Sequence, residues 1–332
     1  MNILTPISGI EDIKILETEG ANEFFAGYIN QEWIELFNDL QDENGNMQLT
    51  INRRNGLRAN IRDFHELCEA VKLTKEVKGR LYITVNAPFY TENMYPFLRR
   101  YFQELSNAGV ERLIVSDIGI MEILAEEFEQ FKITVSCLAQ VVNNSQVEFF
   151  KQFGVERIVF PRHMPIKNII SIVEHFPELE FECFGFCEKC LHDDGNCRCM
   201  HNMGAICMEC WNSVYETVDG KEISLELKQE LLLNEALYKD WMQASVALQN
   251  DMNLGCSLCS VGVLMKYPNI STFKLSGRGK GISFVVDAVR ITKDVITFCQ
   301  KEDSVEKVQK FVQEKLGSRF CQDYTYCIMR GE

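Results

Sequence analysis

Five short runs decide the fold: 81-LYITVNA-87, 112-RLIVSD-117, 133-ITVSC-137, 157-RIVFPR-162 and 179-LEFECFG-185. Each is β-branched or aromatic and too short for a helix. Between them, 92-ENMYPFLRRYFQELSNAG-109, 119-GIMEILAEEFEQ-130, 144-NSQVEFFKQFG-154 and 166-IKNIISIVEHF-176 carry apolar residues at i, i+3, i+4, and Gly109 reads as a helix stop. Strand starts recur about every 20 to 30 residues, four times in succession, which is the length of a βα unit with tight loops and implies a parallel sheet. Outward from this stretch, 2-NILTPI-7 and 23-EFFAGYI-29 precede it, and 272-TFKLSGR-278 with a helix at about 282–300 follows. Eight strands are the count of an α/β (β/α)8 TIM-barrel-like fold. The rival, an open doubly wound sheet, would lack the closing eighth strand.

Residues 1–332 read as a single barrel domain, since no linker composition divides them. Two insertions break the rhythm, at about 30–80 after strand two and about 186–270 after strand seven. Both lie on the C-terminal side of strands, where barrels build their active sites. The 46% hydrophobic content suffices for a large core. A net charge of −14 argues against a nucleic-acid partner or an anionic membrane, because both draw on a basic surface. The N-terminus has no basic region followed by an apolar one, and no run approaches the ~18 apolar residues of a membrane span. A cytoplasmic protein is expected.

The 14 cysteines are unevenly placed: seven fall between Cys183 and Cys210, and Cys256 and Cys259 form a further pair. In a reducing compartment such density indicates thiolates on a metal rather than cystines. Cys68, Cys137, Cys299, Cys321 and Cys327 sit apart and read as small buried hydrophobes. Spacing leaves three metal readings open. Cys187-x2-Cys190 and Cys207-x2-Cys210 fit a zinc ribbon. Cys183, Cys187 and Cys190 fit the C-x3-C-x2-C of radical enzymes, although Cys183 alternates within a strand. Four thiolates from separated segments fit a [4Fe–4S] cluster.

Several stretches carry a family resemblance: 52-NRRNGLRANIRDFHELCEAV-71, 81-LYITVNAPFY-90, 108-AGVERLIVSDIGI-120, 133-ITVSCLAQVVNN-144, 154-GVERIVFPRHM-164, Cys190-x6-Cys197 and the closing 258-LCSVGVL with FKLSGR-278. They resemble the collagenase-like peptidase family of unassigned catalytic type, number thirty-two, which includes the UbiU and UbiV proteins of oxygen-independent ubiquinone synthesis. The resemblance implies a barrel and a [4Fe–4S] cluster, with zinc as the alternative. Carried over, the ligands are Cys190, Cys197, Cys210 and Cys259, with Cys207 as the alternative to Cys210. One departure is Phe184-Gly185, where many members have His-Gly. The function implied is an iron–sulfur enzyme performing oxygen-independent hydroxylation, or a related redox modification, of a small organic or peptide substrate. A metal-dependent peptidase and a non-catalytic, cluster-bearing partner subunit are the alternatives. UbiU and UbiV act as a pair, so a paralogous partner subunit is also expected.

Barrel geometry gathers strand-end residues around one cavity: Asn86, Asp117, Ser136, Arg162, His163 and Arg278, joined by Arg54, Arg58 and Asn60 from the first insertion. Among these, Arg58, Asn60, Asp117, Arg162 and Arg278 are the catalytic candidates. Converging guanidinium groups suit a carboxylate-bearing molecule, such as the prephenate used as oxygen donor in the resembling group. The competing role for Arg162 and Arg278 is pairing with acidic strand-end residues such as Asp117. Asn143 and Asn144 are placed to cap the helix that follows. No HExxH or G-x-S-x-G proteolytic motif is present.

Overall fold

The computed structural model describes residues 1–37, 51–54, 59–87, 89–188, 195, 217, 220–233, 236, 254–278 and 280–316. Ten strands run in chain order: β1 (Asn2–Pro6), β2 (Glu23–Tyr28), β3 (Asn60–Ile61), β4 (Arg80–Val85), β5 (Arg112–Val115), β6 (Lys132–Val135), β7 (Arg157–Val159), β8 (Glu180–Glu188), β9 (Leu254–Cys256) and β10 (Ile270–Leu275). Eight of them pair in parallel as β1-β10-β8-β7-β6-β5-β4-β2, and β2 pairs back to β1. The ring is therefore closed and has no free edge, which is the (β/α)8 barrel. The eight runs read from the sequence are these eight strands.

Helices α1 (Asp12–Glu19), α2 (Gln31–Phe37), α3 (Phe64–Glu76), α4 (Tyr95–Asn107), α5 (Ile118–Glu127), α6 (Asn144–Lys151) and α7 (Ile166–His175) follow the strands, and the Ile282–Cys299 helix follows β10. Their starts are written locally. Asp63, Asp117 and Asn143 accept hydrogen bonds from the backbone N–H of Glu66, Ile120 and Gln146, each satisfying a donor at a helix N-terminus. Asn143 thus has the capping role its sequence suggested, and Asn144 is the first helical residue. Gly109 ends the α4 segment at φ +81°, where a side chain would be strained.

Strand alternation sends one set of side chains to the helices and the other into the barrel. Leu4, Phe25, Tyr82 and Ile114 form an inner apolar layer. Beneath it lies an ionic layer. Arg157, 1% exposed, donates to Glu23 at 2.7 and 3.0 Å, to Glu182 at 3.2 Å and to Glu180 at 2.9 and 2.5 Å. Lys274 donates to Glu182 at 2.8 Å, and Thr272 to Glu23 at 3.1 Å. Every buried charge in this layer has an opposite partner, which is the condition for burying it at all.

β9 runs antiparallel to β8, with Phe186 opposite Cys256 and Glu188 opposite Leu254. The second insertion therefore leaves and rejoins the barrel at the extended end of one strand. The chain divides into two compact units, Met1–Met203 with Leu254–Glu332, and Gly204–Asn253. Within the second unit, residues 225–233 are helical. Among the described residues, no helix is long and apolar enough to cross a membrane.

Candidate functional site

The mouth of the barrel is built from polar residues at the C-terminal strand ends and from the segment at 51–54 that returns from the first insertion. That segment is clamped by buried hydrogen bonds. The Tyr90 hydroxyl donates to the Ile51 carbonyl at 2.5 Å and accepts from the Ala87 N–H at 3.0 Å. Asn86 accepts from the Arg53 N–H at 3.2 Å and donates to Ser136 Oγ at 3.4 Å. Burial pushes the Tyr90 phenol far above its ordinary range, so it remains a neutral bridge.

Two carboxamides close the network. Asn52 donates to Asn60 Oδ1 at 2.6 Å, and Asn60 donates to the Arg54 carbonyl at 2.7 Å. Gly27 makes room for them. A Cβ there would lie 1.9 Å from Asn60 Oδ1 and 2.5 Å from Asn52 Nδ2, so only glycine permits this close approach. Asn52 Oδ1 also accepts from the Arg54 N–H and from Arg278, both at 3.0 Å.

Arg278 reaches from the end of β10 across the mouth to β4, donating to Thr84 Oγ1 at 2.8 Å. Its guanidinium carbon lies 5.8 Å from the Phe25 ring centre, and the Lys274 ammonium lies 4.4 Å from the same ring. Arg162 stacks over Phe184 at 4.2 Å. Asp117 is committed to helix capping: burial raises its carboxyl above the ordinary range, against the lowering effect of the Ile120 and Gly119 amides. The suggested Asp117–Arg278 pairing is thus replaced by bonds from Arg278 to Asn52 and Thr84, because Asp117 turns toward the start of α5. His163 is exposed. Arg58 lies outside the described residues.

Of the proposed metal ligands, Cys190, Cys197, Cys207 and Cys210 also lie outside the described residues. Cys259 is half-buried in the turn Leu258–Ser260 directly after β9. Ser257, two residues earlier, pins this turn to β8 through bonds to the Phe184 and Gly185 carbonyls. Gly195, between Cys190 and Cys197, lies against the β6 loop at the mouth. A Cβ there would come within 2.5 Å of the Gln140 Cβ and 3.0 Å of the Leu138 carbonyl oxygen. Cys183 is inside β8 and buried, and burial, with Glu182 beside it, pushes its thiol up. Among the described residues, no group of three or more His, Cys, Asp or Glu is placed to hold a metal ion.

Asn52, Gly27, Thr84 and the Arg157 network were not singled out in the sequence. Asn52 stood within a quoted stretch, but nothing local to it announces a partner more than 200 positions away.

Comparison with known proteins gives a consistent picture. The chain is 24% identical over 324 residues to "tRNA hydroxylation protein P1" of Bacillus subtilis, covering 94% of this chain and 67% of that protein. It is 26% identical over 195 residues to "tRNA hydroxylation protein P" of Escherichia coli, covering 59% and 38% respectively. It is 23% identical over 227 residues to the "23S rRNA 5-hydroxycytidine C2501 synthase" of Escherichia coli, covering 66% and 31%. The chain thus spans about two thirds of the Bacillus protein and well under half of the two Escherichia coli proteins. These relatives overturn the expectation that the charge balance argues against nucleic acid, and with it the small-molecule or peptide substrate. The error is physical: net charge sums the whole surface, whereas nucleic acid is met locally, and Arg53, Arg54, Arg162 and Arg278 all lie at the mouth. The profile of peptidase family U32 matches residues 44–332, most of the barrel and all of the cysteine-rich insertion; the chain belongs to that family.

Proposed function

We propose that this chain hydroxylates a nucleobase of RNA at the mouth of the barrel, with a [4Fe–4S] cluster as its redox group. Cys190, Cys197, Cys210 and Cys259 would hold the cluster, with Cys207 the alternative to Cys210 and zinc the alternative metal. The observation that carries this reading is the seat of Gly195. Gly195, between Cys190 and Cys197 in the chain, packs against Leu138 and Gln140 just after β6. The named activities of the tRNA and rRNA relatives supply the reaction class.

When bound, such a cluster supplies electron-transfer chemistry. The chain's own residues supply the rest. Arg53, Arg54 and Arg162 bring positive charge to the strand ends, where backbone phosphates would be met, and the buried amide and hydroxyl network holds Arg278 against Asn52 and Thr84. The test is deletion of the gene followed by mass spectrometry of nucleosides digested from tRNA and rRNA. A nucleoside one oxygen heavier than its parent disappears, and it returns with the wild-type gene but not with Cys259→Ser. An unchanged nucleoside inventory in the deletion strain overturns the reading.

A further inference from the structure

We infer that Arg62, between β3 and the start of α3, is a contact for a backbone phosphate of the RNA, with the exposed Phe64 ring offering a face to an adjoining base. This rests on the RNA reading above and adds to it a place where the strand is gripped.

Arg62 directly follows β3, which pairs with the last residues of β2, Asn60 opposite Gly27 and Ile61 opposite Tyr28. Its side chain therefore starts at the C-terminal ends of the strands, the face where barrels bind their ligands. Arg62 is half-buried, and its Nε is shut off from water with no hydrogen-bond partner. Among the described residues no carboxylate pairs with its guanidinium, whereas every other described arginine has a partner. In this chain that is anomalous. Acidic residues outnumber basic ones 48 to 34, so an unpaired cation does not reflect a shortage of carboxylates. Buried donors are ordinarily satisfied, because an unmet one loses its water without return. A cation that the fold leaves unsatisfied is suited to an anion from outside.

The acidic residues closest in sequence are turned to other tasks. Asp63 accepts from the Glu66 N–H at 3.0 Å as the cap of α3. Burial raises the Glu66 carboxyl, and Asp63 and Glu11 add to that. None of the three acts on Arg62, which burial alone pushes below its ordinary range. A guanidinium fork accepts a phosphate or a carboxylate. Phe64 favours the phosphate of a nucleic acid. It is 39% exposed, two residues on across the extended Asp63 (φ −115°, ψ 133°). A cation close to an exposed aromatic ring is the combination that holds single strands, one on the backbone and the other on a base.

The test uses the full chain and tRNA isolated from the deletion strain, titrated over a range of salt. Arg62→Met keeps the apolar stem and removes the charge. Affinity should fall about tenfold, and the slope of log affinity against log salt should fall by about 0.7–0.9. Arg62→Lys should restore the slope, and Arg290→Gln, which removes an equal charge far along the chain, should leave it unchanged. Without RNA, Arg62→Met should melt at or above the wild-type temperature, because an unsatisfied charge has been removed. Phe64→Ala should weaken binding about fivefold with the slope unchanged.

A clearly lower melting temperature for Arg62→Met would show a structural role and overturn the assignment. An unchanged slope in Arg62→Met would overturn the phosphate contact; if hydroxylated nucleoside nevertheless falls in complemented cells, the anion is a small molecule instead. Wild-type affinity in Phe64→Ala would overturn the base contact. Absent or salt-independent tRNA binding by the wild-type chain would overturn the RNA reading itself, an outcome distinct from every variant result.

Discussion

Replacing Arg157 by methionine takes one cation from a buried layer that holds Arg157 and Lys274 against Glu23 and Glu182. Glu23 and Glu182 have side chains 1% and 0% exposed, so water cannot take over the lost contacts. Deleting one member of a buried ion pair costs about 3–5 kcal/mol, because the other charge is left unpaired. The surviving contacts place this case at the low end. Lys274 stays 2.8 Å from Glu182, while Arg80, Thr272 and Tyr82 stay 3.3, 3.1 and 3.4 Å from Glu23. Arg80 is 39% exposed at its side chain, so its compensation is partial. The expected loss is about 3 kcal/mol, or roughly a 1 M drop in the urea midpoint followed by far-ultraviolet circular dichroism. Glu23→Gln added to Arg157→Met removes the stranded carboxylate, so the double variant should be more stable than the single one. pH provides a second signature. Burial penalises the Glu180 charge, but Arg157 outweighs that and holds the carboxyl below its ordinary range. A depressed carboxyl contributes stability that is present above its unfolded pKa and lost as pH falls through the folded one. Arg157→Met gives up much of that contribution, so its deficit should narrow below about pH 4. A single variant within about 1 kcal/mol of wild type, or costs that simply add in the double variant, would refute the reasoning.

Gly27→Ala places a methyl group on the Asn52–Asn60 couple and should cost about 1–3 kcal/mol, with a fall in the hydroxylated nucleoside, read by melting and by mass spectrometry. Asp117→Asn keeps a capping acceptor and removes a half-buried charge. The folded Asp117 carboxyl is raised, so its favourable contribution is present below the unfolded pKa and lost as pH rises through the folded one. The variant should therefore melt higher than wild type at pH 7, with the gain disappearing below about pH 4; a gain independent of pH would contradict this. Anaerobically purified protein should contain iron and sulfide and absorb in the visible, and Cys259→Ser should lower all three. Stoichiometric zinc in a colourless protein would instead support the zinc alternative.

Much of the fold was legible because its signals are local. Runs such as 112-RLIVSD-117 and 133-ITVSC-137 carry strand propensity within five or six residues, Asn143 stands immediately before the helix it caps, and Gly109 marks a stop. Counting these units to eight was enough for the barrel. The charge argument failed for the opposite reason. A sum of −14 has no position, whereas the arginines of the mouth are distant in sequence and become neighbours only when the ring closes.

The chain's sequence by itself determined the eight-stranded barrel and the density of thiols between Cys183 and Cys210. It also supplied Arg278 and Asn60 as candidates. Only the tertiary structure decided what they touch. Asn52, Thr84 and Arg278 meet across 226 and 194 positions, Arg157 meets Glu23 across 134, and Gly27 matters because two amides from elsewhere fill its missing side chain. A hydrogen bond is set by position in space, and no periodicity in the chain records a partner at that separation.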